Sequence, residues 1–534
     1  MEKRRYKQGL LVFFGLIILV ASCSAPYFRS VYTNQTEFLY NAPNLQGTHF
    51  LKAHLRNGDV VVYTAQWDIV DSGNAVNGQG QRYDFNRRTI RRGLMHVDID
   101  SVALFETNQK IEHPEGERLL ALGLMTGVDV IVGVICITNP KSCFGSCPTF
   151  YLQPDHPFHF AHAEGFSNAI APSLEYTDAD ALGLVKPNKG RITLYMKNEA
   201  LETHCVRSVK LGVVPKIAGE HVYHGTDDRF WRSTWSKEVS SAKSVSGDVS
   251  DLLRTADQRE YFSTSDPLSL EHKEQVILEF PPAPRGDSLA LLLDFRQSLM
   301  TTYLIYNALA YMGDQAGDYL AQLERDSVFN RSVARGIHSR LGGIDVELED
   351  PNSKRWIPCG SFDETGPIAI NRQVLPLNFK SDHRSVRLRL TLNSGMWRID
   401  RAQLVNTTGT ITPLIQEPVA VRNKGRNDSL ALNRLLDPRR HLISMPGSAY
   451  AIDFAVPDST MSYTTFLYST GYYLEWMRAS WLAEKNPAKL RQLIQHPSDY
   501  FRAEAHAYKT YEHTMEEAFW KSRIDTRNFS YHEE

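Results

Sequence analysis

Strict alternation of apolar and polar residues recurs along the chain. Because successive side chains of a strand point to opposite faces, this pattern predicts half-buried strands. The clearest runs are Ile344-Asp345-Val346-Glu347-Leu348, Val386-Arg387-Leu388-Arg389-Leu390, Trp397-Arg398-Ile399-Asp400 and Tyr450-Ala451-Ile452-Asp453-Phe454. Strand-like runs at 191–197, 205–214 and 275–280 alternate with polar turns, as in an antiparallel sheet or sandwich. Nearer the start, residues 50–55 and 60–63 flank Asn57-Gly58, a pair that readily takes the positive φ angles of a tight turn, so a hairpin is expected there. Short strands at 97–100 and 102–105 extend it into a small antiparallel domain.

The period changes in three places. Leu289, Leu292, Leu293, Phe295, Leu299, Tyr303, Tyr306, Leu309 and Ala310 recur at helical spacing, as do Tyr319, Leu320, Leu323 and Val328, predicting two helices broken near Gly313 to Gly317. The carboxyl end reads as helical from Tyr472 to Trp520, with breaks before Pro487 and Pro497. Residues 119–137 form an apolar run interrupted by Asp129, which favours a helix and then a buried strand within a soluble domain. The expected fold class is α+β: multidomain and mainly antiparallel β, with β-sandwich or jelly-roll-like modules, a helical hairpin and terminal helices. The expected order is a signal peptide at 1–22, a tether at 23–47, a small β domain at 48–138, a cysteine-bearing β domain at 139–285, a helical segment at 286–342, a β-sandwich at 343–465 and helices at 466–534.

A chain of 534 residues is too long for a single core, which agrees with that division. Lys plus Arg number 59 against 61 Asp plus Glu, so no overall charge excess points to nucleic acid. The cluster Arg87, Arg88, Arg91 and Arg92 lacks interleaved aromatic residues and reads as a solvated turn.

The amino terminus carries the most specific signal. Lys3, Arg4, Arg5 and Lys7 precede an apolar stretch from Leu10 to Val20 and the sequence Val20-Ala21-Ser22-Cys23, the plan of a secretory signal. A bilayer span needs about 20 apolar residues, more than this stretch supplies. Val20 to Cys23 resembles the lipobox of bacterial lipoproteins, and that resemblance implies a lipid, palmitate included, on Cys23 and a membrane anchor. Ser24-Ala25-Pro26-Tyr27 carries neither the Asp of inner-membrane retention nor the acidic run of surface display. The expectation is therefore an outer-membrane lipoprotein facing the periplasm. Asp-Ser triplets at Asp100, Asp287, Asp326, Asp428 and Asp458 resemble the O-glycosylation signal of Bacteroidota envelope proteins.

Cys143 and Cys147 stand at C-x3-C spacing within Asn139-Pro140-Lys141-Ser142-Cys143-Phe144-Gly145-Ser146-Cys147-Pro148. In an oxidising compartment two cysteines this close can bond across a loop. The spacing also resembles copper-delivery and redox proteins of thioredoxin-like fold. Those proteins place a helix next, whereas Thr149-Phe150-Tyr151-Leu152 followed by Pro154 and Pro157 reads as strand and turn. His156, His159 and His162 offer soft-metal ligands beside the cysteines, but on a strand only His156 and His162 share a face. The segment C-F-G-S-C-P further resembles a β domain, without an assigned activity, of Bacteroidota envelope lipoproteins, and that resemblance implies a disulfide staple. Cys136 reads as a buried thiol, and the pairing of Cys136, Cys205 and Cys359 stays open. Cys205 follows His204, a pair without the geometric specificity of a metal site.

No G-x-S-x-G, H-E-x-x-H, phosphate loop or C-x2-C motif occurs. Asp129, Asp155, Glu164 and Glu364 are the carboxylates singled out as candidates, without a motif to join them. Residues 386–405 loosely resemble strands of galactose-binding-like jelly rolls, which implies glycan binding or contact-making. The function expected is a non-enzymatic binding or assembly protein without cofactor, held at the membrane by its lipid, with an envelope protein or a glycan as partner. A periplasmic copper-binding or thiol-redox factor using Cys143 and Cys147 is the alternative.

Overall fold

The computed structural model describes residues 27–110, 147–313, 340–475 and 484–523, apart from short breaks within these ranges. Cys23, Asp129, Cys136, Cys143, Asp155, His156, His159, Asp326 and Glu364 lie outside the described residues. The protein is an α+β assembly made mostly of antiparallel sheets with a few helices. The chain forms two compact units, one holding the described residues 27–110 and the other those from 147 onward.

The first unit is a six-stranded antiparallel sheet. Its spatial order is Tyr27–Tyr32, Val102–Lys110, Leu51–Leu55, Val60–Val70, Ala75–Tyr83 and Thr89–Asp98. Leu51 faces Tyr63 and Ala53 faces Val61, the pairing expected of the Asn57-Gly58 hairpin. Those four side chains are fully buried with Trp67, Val76 and Phe105. Residues 23–47, expected to be a tether, include the edge strand Tyr27–Tyr32 and the helix Gln35–Leu45. Phe38 is what holds this helix down. It is fully buried, stacked on Phe105 at 3.8 Å and on Trp67 at 6.1 Å, a gain of about 1.5–3 kcal/mol from burial alone.

Four sheets build the second unit, and each draws strands from distant parts of the chain. Arg191–Lys197 lies between Ala449–Ala455 and Thr149–Tyr151. Glu202–Pro215 pairs along its length with Tyr463–Glu475, which pairs in turn with Tyr176–Val185. The largest sheet centres on Ser288–Gln297, between Trp397–Asn406 and Asn371–Lys380. In the fourth, Val386–Asn393 runs between Lys273–Phe280 and Ile344–Glu349. The expected alternation is visible here, since Val386, Leu388, Leu390 and Leu392 are buried while the residues between them are half-exposed. These leucines, with Val276, Leu278, Val346 and Leu348, line the inner face of that sheet. Phe362 of its edge strand meets Phe295 of the largest sheet at 5.3 Å.

Two stretches expected as helix are strand. Ser288–Gln297 carries Leu289, Leu292, Leu293 and Phe295, whose spacing imitates a helical stripe. The true cause of the pattern is a central strand buried on both faces, which reads as a near-continuous apolar run. Tyr463–Glu475 occupies the start of the expected terminal helix, because its Thr, Phe and Tyr residues fit a sheet flanked on both sides. The helix Met300–Met312 does form, and it ends at Gly313 with φ +56, a conformation natural to glycine. Helices Pro487–Gln495 and Pro497–Ser522 start at the expected prolines. Asn486 caps the first by accepting from the Lys489 amide at 3.1 Å.

A buried ion-pair network ties the terminal helix to the largest sheet. Arg296, only 2% exposed, donates through Nε and Nη2 to both oxygens of Glu260 at 2.6 Å, and Nη2 also reaches Glu516 of the terminal helix. Its Nη1 donates to the Pro367 carbonyl at 3.0 Å, and the Phe160 ring lies 4.7 Å away. Arg398 bonds the other oxygen of Glu516 and sits 3.9 Å over Phe262. Removing one partner from such a network strands a buried charge. Arg296→Ala is therefore expected to destabilise the second unit by about 3–5 kcal/mol, read as a lower urea midpoint. A midpoint within error of the parent would show that Glu260 and Glu516 do not depend on it.

Candidate functional site

Among the described residues, a set of buried acids, tyrosines, a histidine and a thiol gathers where two sheets of the second unit meet. Tyr176, Asp178 and Asp180 alternate along Tyr176–Val185 and so share a face. Register places them opposite Gly471, Ser469 and Leu467 of Tyr463–Glu475, whose next residues on that face are Tyr473 and Glu475. Across the same strand, Tyr473 pairs with His204 and Glu475 with Glu202. Glu202 and His204 are fully buried, with His204 Nε2 at 3.5 Å from Glu202 Oε1.

Facing them is a short hairpin of Thr149–Tyr151 and Ala163–Glu164, with Thr149 opposite Glu164. Cys147, just before it, is buried and its thiol donates to Glu164 Oε1 at 3.1 Å. Glu164 Oε2 accepts from the Ile368 amide at 2.8 Å. Gly366 makes room for this carboxylate, because a Cβ there would stand 2.1 Å from Glu164 Cδ. Tyr176 donates to Asp178 Oδ2 at 3.3 Å, and the Ala179 amide donates to Oδ1 at 2.9 Å. Asp180 Oδ2 is buried and has no hydrogen-bond partner among the described residues.

The electrostatics follow from burying acids together. Desolvation pushes Asp178 up to about 6, and burial with Asp178 and Glu164 as neighbours pushes Asp180 well above the ordinary range. Burial likewise raises Glu164, although the Ile368 amide and the Cys147 thiol act against it. The Cys147 thiol is pushed well up, first by burial and then by the charge of Glu164. The Tyr473 hydroxyl is raised for the same leading reason. Such a cluster gives up its protons at higher pH than exposed acids do. A nucleophilic or metal-binding thiol needs the opposite, a depressed pKa beside cationic groups.

Of the residues singled out in the sequence, Cys147 and Glu164 meet, while Cys143, the proposed partner of Cys147, lies outside the described residues. The His162 amide donates to the Phe150 carbonyl at 2.9 Å. Among the described residues no group of three or more His, Cys, Asp or Glu could hold a metal ion. Cys205 is buried beside His204 in the same strand, and as neighbours the two point to opposite faces. Cys359 is half-buried with Sγ 3.6 Å from the Ile357 carbonyl. Asp178, Asp180 and Glu202 escaped sequence reasoning. Acids at every second position of a strand carry the signature of a solvated face, and nothing local reveals that a hairpin covers them.

No protein family matches the chain, and no curated protein sequence matches it. Among solved structures, a GH31 alpha-xylosidase from Xanthomonas citri is similar at 8% identity and a TM-score of 0.14, over 78% of this chain and 36% of its own. The secreted serine protease VesC from Vibrio cholerae is similar at 9% identity and a TM-score of 0.13, over 67% of this chain and 64% of its own. The chain thus spans about a third of the xylosidase and just under two thirds of the protease, and likenesses at these scores carry no argument.

The acid cluster makes a signed pH prediction. A carboxyl whose folded pKa is raised binds its proton more tightly in the folded state, so the stability it contributes is present at low pH and is lost as pH rises through the folded value. Below about pH 4, where the Asp is protonated in both the folded and the unfolded chain, Asp180→Asn should unfold like the parent, because a protonated Asp resembles Asn. By about pH 8 the variant should be the more stable by about 1–3 kcal/mol. Urea unfolding across this range checks it, and a difference that shrinks with rising pH would contradict the assignment.

Proposed function

We propose that this protein is a membrane-anchored binding or assembly protein of the bacterial envelope, lipidated at Cys23. The observation that carries the contact-making role is the distribution of exposed large apolar side chains. Of thirteen among the described residues, five fall within 414–436: Leu414, Ile415, Val419, Leu430 and Leu436. Single exposed apolar residues are ordinary on any surface, whereas a contiguous apolar patch favours an interaction site, and the reading takes these five as its members. Leu414 and Ile415 belong to the three-residue edge strand Leu414–Gln416, and Leu430 and Leu436 to the helix Ser429–Leu436. Beside Leu430 lies an open, shallow hollow lined by Asn423, Lys424, Arg426, Asp428 and Ser429. Lys424 and Arg426 are exposed there, and the partner that complements them is an envelope protein presenting an apolar patch with an acidic rim.

A copper or thiol-redox role for Cys143 and Cys147 draws no support from Cys147, whose burial beside Glu164 holds it in the thiol form.

Two experiments test the reading. Replacing Cys23 with Ala should leave an unprocessed precursor and release the chain from the membrane fraction; unchanged mobility and attachment would sink the lipid anchor. Mild-detergent extracts should yield a stoichiometric envelope partner. Leu414→Asp combined with Leu430→Asp should lower its recovery about tenfold or more, the equivalent of 1.4 kcal/mol. Recovery of the bare monomer alone under several detergents, or undiminished capture by the variant, would overturn the assembly role.

A further inference from the structure

One row of side chains crosses the largest sheet in register. Arg401 lies opposite Asp294 and Asp294 opposite Arg372. His221–Gly225 runs parallel beside Asn371–Lys380 with His224 at Gln373, which sets Tyr223 at Arg372, and Tyr223 pairs with Trp231 on the next strand. All five residues therefore share one face, spread over five strands and roughly 19 Å at about 4.8 Å per strand.

The charges in this row do not cancel. Asp294 is 1% exposed and holds Arg372 through two bonds, Nε at 2.7 Å and Nη2 at 3.0 Å, and Arg401 through Nη2 at 2.8 Å. Within the row one carboxylate thus fixes two guanidinium groups; Asp400, whose charge Arg372 also feels, is engaged elsewhere, accepting from the Gln258 amide at 2.8 Å and the Asp257 amide at 3.2 Å. Donors also remain. Arg401 Nε is buried without a partner among the described residues, and Arg372, 40% exposed, commits only Nε and Nη2 to Asp294. The two guanidinium groups are felt nearby, where His221 is depressed first by desolvation and then by Lys216, Arg372 and Arg401.

The aromatic neighbours are fixed in place. Trp231 Nε1 donates to Asp227 Oδ1 at 3.1 Å, and Arg229 lies 4.6 Å over the indole. Beneath it, a Cβ on Gly225 would stand 2.9 Å from the ring, so the indole occupies space that only glycine leaves. Tyr223, half-buried beside it, stacks at 6.1 Å with His221.

We propose that Arg372 and Arg401 bind an oxyanion, the carboxylate or phosphate group of a ligand that lies against Tyr223. Two guanidinium groups already oriented by a buried carboxylate lose little side-chain freedom on binding, and planar forks match both carboxylate and phosphate geometry. Asp294 acts here as a positioning residue. The inference is independent of the anchored-assembly reading, since neither Cys23 nor segment 414–436 enters it.

Titration calorimetry of the full chain in mild detergent tests it, with inorganic phosphate, glucuronate and neutral glucose as probes at up to roughly millimolar concentration. At least one anion should bind and glucose should not; the stronger of the two anions identifies the group preferred. Arg372→Gln, at a part-exposed site where Asp294 keeps Arg401, should weaken anion binding about tenfold or more. Asp294→Asn should weaken binding of both anions as well, because the two guanidinium groups lose the carboxylate that orients them, and anion affinity equal to the parent's in that variant would overturn the positioning role. Absence of binding by both anions, equal binding of glucose, or an Arg372→Gln affinity equal to the parent's would each overturn the proposal.

Discussion

Everything in the larger unit depends on how the strand Ser288–Gln297 meets its polar obligations. Nine of its ten residues are buried, so each charged side chain it carries must be answered inside the protein. Asp294 is answered by Arg372 and Arg401 from the two neighbouring strands. Two residues on, Arg296 is answered by Glu260 and by Glu516 of the terminal helix. The requirement to pair these groups therefore selects which strands flank the centre and where the last helix docks.

The acid cluster solves burial by the opposite route. Around Asp178, Asp180 and Glu164 no matching cation stands among the described residues, and burial raises the pKa of each acid. One region answers its buried charges by pairing them, and the other carries its acids at raised pKa. Only the first leaves guanidinium donors to offer a ligand, while the second offers a hydrogen-bonded thiol and carboxyl enclosed between sheets.

Strands with one wet face were legible in the sequence. Val386–Asn393, Ile344–Glu349 and Ala449–Ala455 announce themselves by alternation, and the helix starts at Pro487 and Pro497 by their prolines. Ser288–Gln297 and Tyr463–Glu475 were not, because burial on both faces erases the alternation that distinguishes strand from helix. The candidate site was half legible. Cys147 stood out by its spacing and Glu164 only as one acid among several. Asp178, Asp180 and Glu202 become neighbours through pairings that join residue 202 to residue 475 and residue 176 to residue 471, distances no local pattern encodes. The Arg372–Asp294–Arg401 row is hidden for the same reason, since its members come from three separate strands.

Those long pairings also govern the order of events when the chain folds. Arg191–Lys197 finds one of its two partners in Ala449–Ala455, and Tyr176–Val185 pairs with Tyr463–Glu475. Loop closure over such separations costs entropy before any contact repays it, the condition that makes sheets of high contact order slow to form. The early strands must therefore wait, with open edges, until residues near 475 arrive. A chain emerging in sequence order stays unfinished over most of its second unit until nearly its end, and during that interval it stands in need of protection from pairing with its neighbours.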